Sequence, residues 1–172
     1  KYKKVNVEKL SIYDIPYKNE FDISFSIGVV HHLEFPEKAI EKLIQATKPG
    51  GNVLVWLYGY ENMKIYVHVL NPIRKILFSK APLPIVRSIS YIPTILLYIY
   101  IRLGITKLEY FKLLKKLSFT QIQQIVFDQM LPKTAKYYKK HEALKLLNHK
   151  DLHDYKIEWV NQCSWSVMAT KK

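Results

Sequence analysis

Residues 21–33 read FDISFSIGVVHHL, an apolar stretch with interspersed serines that stops at Gly28 and then presents the adjacent histidines His31 and His32. Phe21 to Ile27 has the length and composition of a strand covered by helices on both faces. From Pro36 the period lengthens. Ile40, Leu43, Ile44 and Thr47 fall on one face of a helix, Pro36 suits its first position, and Lys48-Pro49-Gly50-Gly51 closes it. Asn52 to Tyr58 (NVLVWLY) is a second buried strand. Strand, crossover helix and strand within about 40 residues form a βαβ unit with parallel strands, so the fold class is α/β. Ligands of such sheets sit beyond the carboxyl ends of the strands, here Ser26 to His32 and Tyr58 to Glu61.

Upstream, Val5 to Leu10 alternates as a short strand before the turn IYDIPYKNE. Downstream, residues 62–127 hold long apolar helical stretches divided by Pro72, Pro82, Pro84, Pro93 and Gly104, and bordered by lysines and arginines. About four helices forming a cap are expected there. The longest nearly uncharged run, Ser88 to Ile101, covers about 14 residues, short of the roughly 20 that span a bilayer, and reads as a buried or interfacial helix. Residues 128–172 return through DQMLP to a helix, His141 to Leu147, and to strands Tyr155 to Val160 and Ser164 to Thr170, an antiparallel hairpin at a sheet edge. The chain thus divides into a core part (1–61), a cap insertion (62–127) and a return to the core (128–172).

The 172 residues include 27 bases and 14 acids, a net charge of +13 that favours an anionic neighbour: nucleic acid, a phospholipid surface or an acidic substrate. A single cysteine, Cys163, excludes an internal disulfide and any multi-cysteine zinc site, and fits a reducing compartment as a buried thiol. The opening KYKKVNVEKL has no apolar stretch of the signal-peptide kind, so a cytoplasmic protein is expected.

The histidine pair admits three readings. A metal site fits poorly, because adjacent side chains point apart and His68, His141, His149 and His153 stand in unrelated segments without ligand spacing. One imidazole could instead be a general base facing the cleft, and the other a structural residue bonded back to the backbone.

The order FD-strand, small residue, V-H-H turn, P-x-x-A helix and K-P-G-G turn resembles the segment from strand four to strand five of class I S-adenosylmethionine-dependent methyltransferases. Phe21, Asp22, Ser26, Gly28, His31, His32, Pro36, Ala39 and Lys48 to Gly51 carry the match. The helical insert, VFDQMLP, YYKKHEALKLL and the last strand SWSVMATKK resemble members with a large helical cap. The resemblance implies a partial Rossmann-like sheet, strands three to seven of seven, with a helical cap, and S-adenosylmethionine as cofactor. It places Ser26, Ile27, Gly28 and His31 on the cofactor side, with His32 as the base on the substrate side. Ser11 and Ile12 would meet the adenine, although Ser11 stands where the family carries an aspartate. Asp128, Gln129, Tyr137 and Tyr138 would border the acceptor.

One departure is larger. The family's glycine-rich loop follows its first strand, and this sequence has no glycine before Gly28. The expectation is a carboxyl-terminal portion of a longer enzyme, completed by an amino-terminal segment and weak in cofactor binding alone. The acceptor is expected to be an apolar or lipid-like small molecule, with peripheral membrane contact through the basic, apolar cap. The competing class is a non-catalytic basic protein binding a membrane surface or RNA on a degenerate sheet. Nucleic acid is the weaker partner, since Tyr137-Tyr138-Lys139-Lys140 is the one local mix of aromatics and bases that resembles such a surface.

Overall fold

The computed structural model describes residues 5–78, 81–105 and 107–172. Four strands, β1 (Phe21–Ile27), β2 (Thr47–Tyr58), β3 (Leu152–Val160) and β4 (Ser164–Lys171), form one sheet in the order β1-β2-β4-β3. β1 and β2 are parallel, with Phe25 opposite Leu54 and Ile27 opposite Trp56, while β4 runs antiparallel to both β2 and β3. The helix α1 (Pro36–Ala46) joins the parallel pair, with Pro36 in its first turn and Ala39, Ile40, Leu43 and Ile44 buried. These pack with Val53, Val55 and Leu57 of β2 and Val167 and Ala169 of β4 in one core cluster. Each fully buried aliphatic side chain stabilises by about 1.5–3 kcal/mol relative to exposure.

Three expectations are corrected here. β2 starts at Thr47, five residues before the expected Asn52, because the pairing with β1 accommodates Lys48 to Gly51 through a register shift between Phe21 and Ile23. The Thr47 hydroxyl locks that start, lying 2.7 Å from the Leu43 carbonyl oxygen and 2.8 Å from Ser24 Oγ. Val5 to Leu10 forms no strand and is exposed. Among the described residues β1 has no neighbour on its outer edge, and an isolated strand has no ladder to satisfy its backbone. For the same reason β1 is covered on one face only. Ser24 and Ser26 point into the core, whereas Phe21, Ile23, Phe25 and Ile27 are exposed.

The segment after β2 contains a 3-10 turn (Glu61–Met63), a π-helical turn (Tyr66–Leu70), α2 (Asn71–Leu77), α3 (Leu83–Leu103), α4 (Glu109–Leu114) and α5 (Phe119–Met130). α3 is longer than the uncharged run suggested, because it incorporates Arg87 and Arg102, and Gly104 caps its end at φ +66°. Its 21 residues are long and apolar enough to cross a membrane by length and composition. α5 opens on a capping box, Ser118 with Gln121. The two helices are tied where Gln123 Nε2 donates to Ser90 Oγ at 2.8 Å, and Ile101, Leu114 and Ile122 form a second, smaller core. The short helix α6 (Lys140–Leu147) then leads to the β3–β4 hairpin.

Candidate functional site

The carboxyl end of β1 turns sharply at Gly28, whose φ of +78° favours glycine and whose missing Cβ would meet nothing within 4 Å. Just before it, the Ser26 hydroxyl is buried without a hydrogen-bond partner, while Ser24 two residues earlier is satisfied by Thr47. That hydroxyl faces the core, so what a polar ligand can approach here is the open backbone at Gly28. Ser11 is committed differently. Its Oγ accepts from the Tyr13 backbone N–H at 3.2 Å, capping the turn Ile12–Asp14, and Ile12 packs on the main core.

The histidine turn Val30–His32 is held from far along the chain. Residues 134–138 run across the strand ends: the Lys136 N–H donates to the His31 carbonyl at 2.9 Å, and the Tyr138 N–H to the Tyr58 carbonyl at 2.8 Å. His32 Nδ1 lies 2.8 Å from the Thr134 carbonyl oxygen. A carbonyl can only accept, so Nδ1 carries the proton and Nε2 of the neutral ring keeps its lone pair. His31 is fully buried, its ring 3.8 Å from that of Tyr58, and neither ring nitrogen has a partner with hydrogen-bond geometry. Burial, and secondarily the neighbouring His32, push its pKa down to about 3, opposed by a weaker backbone contact with Trp56. His31 is therefore a neutral packing group, and His32 makes the backbone bond while leaving a basic nitrogen.

Between the sheet and the cap lies a cavity of about 540 Å³. Trp56 and Tyr58 form its floor, and Tyr66, Arg74, Tyr110 and Gln129 supply polar atoms in an otherwise apolar wall. Gln129 Nε2 donates to Tyr58 Oη at 2.6 Å, which leaves the Tyr58 hydroxyl proton available to a ligand. Burial raises the pKa of the phenols of Tyr58, Tyr66 and Tyr137, and takes that of Tyr110 up to about 12, so all are neutral at physiological pH. Arg74, 4% exposed, is bonded through Nε and Nη2 to Asn71 Oδ1 at 3.0 and 2.7 Å and through Nη1 to the Pro132 carbonyl. Among the described residues no carboxylate lines the cavity.

Of the residues expected at the acceptor, Gln129 and Tyr137 line the cavity. Asp128 is exposed on the same last turn of α5, and Tyr138 points into the main core, where burial takes its pKa up to about 12. Neither histidine lines the cavity, but Tyr58 connects them to it, with ring centroids 3.8 Å from His31 and 5.5 Å from His32. Sequence reasoning put Tyr58 at the ligand edge without a role and missed Trp56, Tyr66, Arg74 and Thr134. The alternation of NVLVWLY does place Trp56 and Tyr58 on one face, opposite the buried Val55 and Leu57.

Residues 1–55 match the model of a methyltransferase domain. Over its whole length the chain resembles the crystal structure of a possible histamine N-methyltransferase from Thermotoga maritima, described as S-adenosylmethionine-dependent. The TM-score is 0.54 at 14% identity, over 98% of this chain and 64% of that one. The fold is that of a class I methyltransferase. Among curated relatives, a tRNA (carboxymethyluridine(34)-5-O)-methyltransferase of Arabidopsis thaliana is 44% identical over 52 residues, 28% of this chain and 13% of the relative. An uncharacterised Synechococcus protein is 34% identical over 56 residues, 32% of this chain and again 13% of the relative. The chain thus spans about an eighth of the length of the curated relatives it matches. Every residue that lines the cavity lies beyond residue 55, outside the part of this methyltransferase fold that the family model matches.

Proposed function

We propose that this chain is part of an S-adenosylmethionine-dependent methyltransferase that methylates an apolar small-molecule acceptor held between sheet and cap. The observation that carries the reading is the carboxyl edge of the sheet. There the open turn at Gly28 ends β1, and Tyr58 of β2 floors a largely apolar cavity. Ser26, Ile27 and Gly28 would hold the methionine portion of the cofactor, and Ile12 would contact the adenine. S-adenosylmethionine supplies an electrophilic methyl group on a sulfonium. His32, through Nε2, accepts the proton that the acceptor loses by way of the Tyr58 hydroxyl. Holding donor and acceptor together contributes most of the rate, so His32 adds to it without being indispensable.

Neutral phenols, apolar walls and one buried guanidinium suit an apolar molecule bearing a hydroxyl, carbonyl or anionic group, and the lack of a lining carboxylate disfavours an ammonium acceptor. The unpaired edge and bare face of β1 are where the remaining strands and the glycine-rich loop would add. The absence of glycine before Gly28 and the serine at position 11 favour the competing reading, a binding protein without chemistry. To separate the two, the polypeptide that completes the domain is incubated with methyl-tritiated S-adenosylmethionine and a total lipid extract, and the organic phase is counted. Label in that phase is expected. Label confined to water-soluble products overturns the apolar acceptor, and no transfer to any fraction overturns the enzyme.

A further inference from the structure

α3 is inverted relative to a helix on the surface of a soluble protein. Its inner face carries Val86, Ser90, Thr94 and Ile101, all buried, and the polar members are satisfied locally: Ser90 Oγ accepts from Gln123, and Thr94 Oγ1 donates to the Ser90 carbonyl at 2.7 Å. Its outer face carries Ile85, Ile92, Ile95, Leu96, Ile99 and Leu103, each 48–68% exposed. At 100° per residue these six fall within an arc about 100° wide, opposite the buried residues. Nearby, Ile65, Ile73 and Ile76 of the preceding turns are also exposed, at 79%, 45% and 77%. An outward apolar arc of this kind is a surface waiting to be covered.

The charge of the same segment says by what. Residues 62–127 hold ten of the 27 bases and one of the 14 acids, Glu109. Arg102 borders the apolar arc, Arg87 is exposed about 22 Å away along α3 at 1.5 Å per residue, about 80° round from the same edge of the arc, and Lys107, Lys112, Lys115 and Lys116 are exposed just beyond the helix. We propose that the outer face of the cap docks on an anionic phospholipid bilayer, with α3 lying in the plane of the interface. The apolar arc then sits among acyl chains and the bases among headgroup phosphates. The hydrogen bond from Gln123 to Ser90 and the packing of Ile101 keep α3 on α5, which holds it flat rather than across the bilayer. Ile65 and Ile73 are exposed and also line the cavity, so the cavity reaches the surface of the cap.

Flotation of the chain with vesicles tests this without cofactor or acceptor, so its outcome is independent of the methyl-transfer reading. Vesicles of phosphatidylcholine with about one-third phosphatidylglycerol should carry the protein upward, and pure phosphatidylcholine vesicles should carry far less. Arg87→Gln should lower partitioning about fivefold at low salt and much less at 0.5 M salt. The exposed pair Ile92→Glu and Leu96→Glu should lower it at least tenfold with an unchanged far-ultraviolet spectrum. Equal binding of wild type and this double variant overturns the proposal. So does a wild-type dimer that ignores vesicles and is dissociated by the same two substitutions, or retention by RNA in place of vesicles.

Discussion

The Nδ1 atom of His32 lies 2.8 Å from the carbonyl oxygen of Thr134, a residue 102 positions further along the chain. That bond fixes the ring and its tautomer, and leaves Nε2 without the proton, on a ring whose centroid is 5.5 Å from that of Tyr58. His32→Ala should therefore lower the turnover of methyl transfer about 10²–10⁴-fold, the usual contribution of a positioned acid or base. Cofactor affinity should change little. Single-turnover tritium transfer with a parallel cofactor titration checks both. A loss of affinity as large as the loss of turnover would make His32 a structural residue only.

His31 predicts a pH dependence of stability. It is held neutral in the native state, with a pKa of about 3 against 6.5 for the ordinary side chain. Below pH 6.5 the unfolded chain takes up a proton that the native chain refuses, so this stability is complete above 6.5 and is lost progressively as pH falls toward 3. Urea midpoints at pH 7 and pH 5 should differ by about 1–2 kcal/mol more in wild type than in His31→Phe. Equal pH dependence in the two proteins would show that the ring is hydrated.

Arg74 predicts a cost of a different kind. Its guanidinium satisfies Asn71 Oδ1 and the Pro132 carbonyl inside a nearly dry wall. Arg74→Met leaves both acceptors without a donor and should destabilise by about 1–3 kcal/mol per orphaned group at most. Chemical denaturation reads the loss directly. An unchanged midpoint would mean that water replaces the side chain.

Gly59 and Gly28 separate two uses of glycine. A Cβ on Gly59 would collide with the Trp159 ring and lie 2.9 Å from the Cys163 carbonyl oxygen, so Gly59→Ala should destabilise by about 1–3 kcal/mol. Gly28→Ala meets open space and costs only its left-handed backbone, about 1 kcal/mol. Thermal melts of the two variants should rank in that order.

The sequence made the βαβ unit and the hairpin readable, because the periods of α1, β2, β3 and β4 are set by burial against one core. Val5 to Leu10 misled because alternation signals only a capacity to pair, and among the described residues no strand lies beside it. The coverage expected over both faces of β1 failed for the same reason. At the site, Gly28 and the histidine turn were legible as local motifs. Thr134, Tyr66 and Arg74 were not, because each reaches the site through a contact 58 or more residues long, such as Arg74 to Pro132 or Tyr66 to Gln129. The burial of Tyr138 beside the cavity residue Tyr137 shows the same limit. Adjacent residues at a strand end face opposite ways, and only the bridge between Gly59 and Tyr138 decides which way each one points.

Calorimetric titration of S-adenosylmethionine tests the central claim most directly, run on this chain and on a polypeptide that adds, at the β1 edge, the strands and glycine-rich loop proposed above. The account predicts saturable binding in the micromolar range by the completed domain, weakened by Gly28→Leu, and no saturable heat from this chain alone. Micromolar binding by this chain alone, or none by the completed domain, would contradict it.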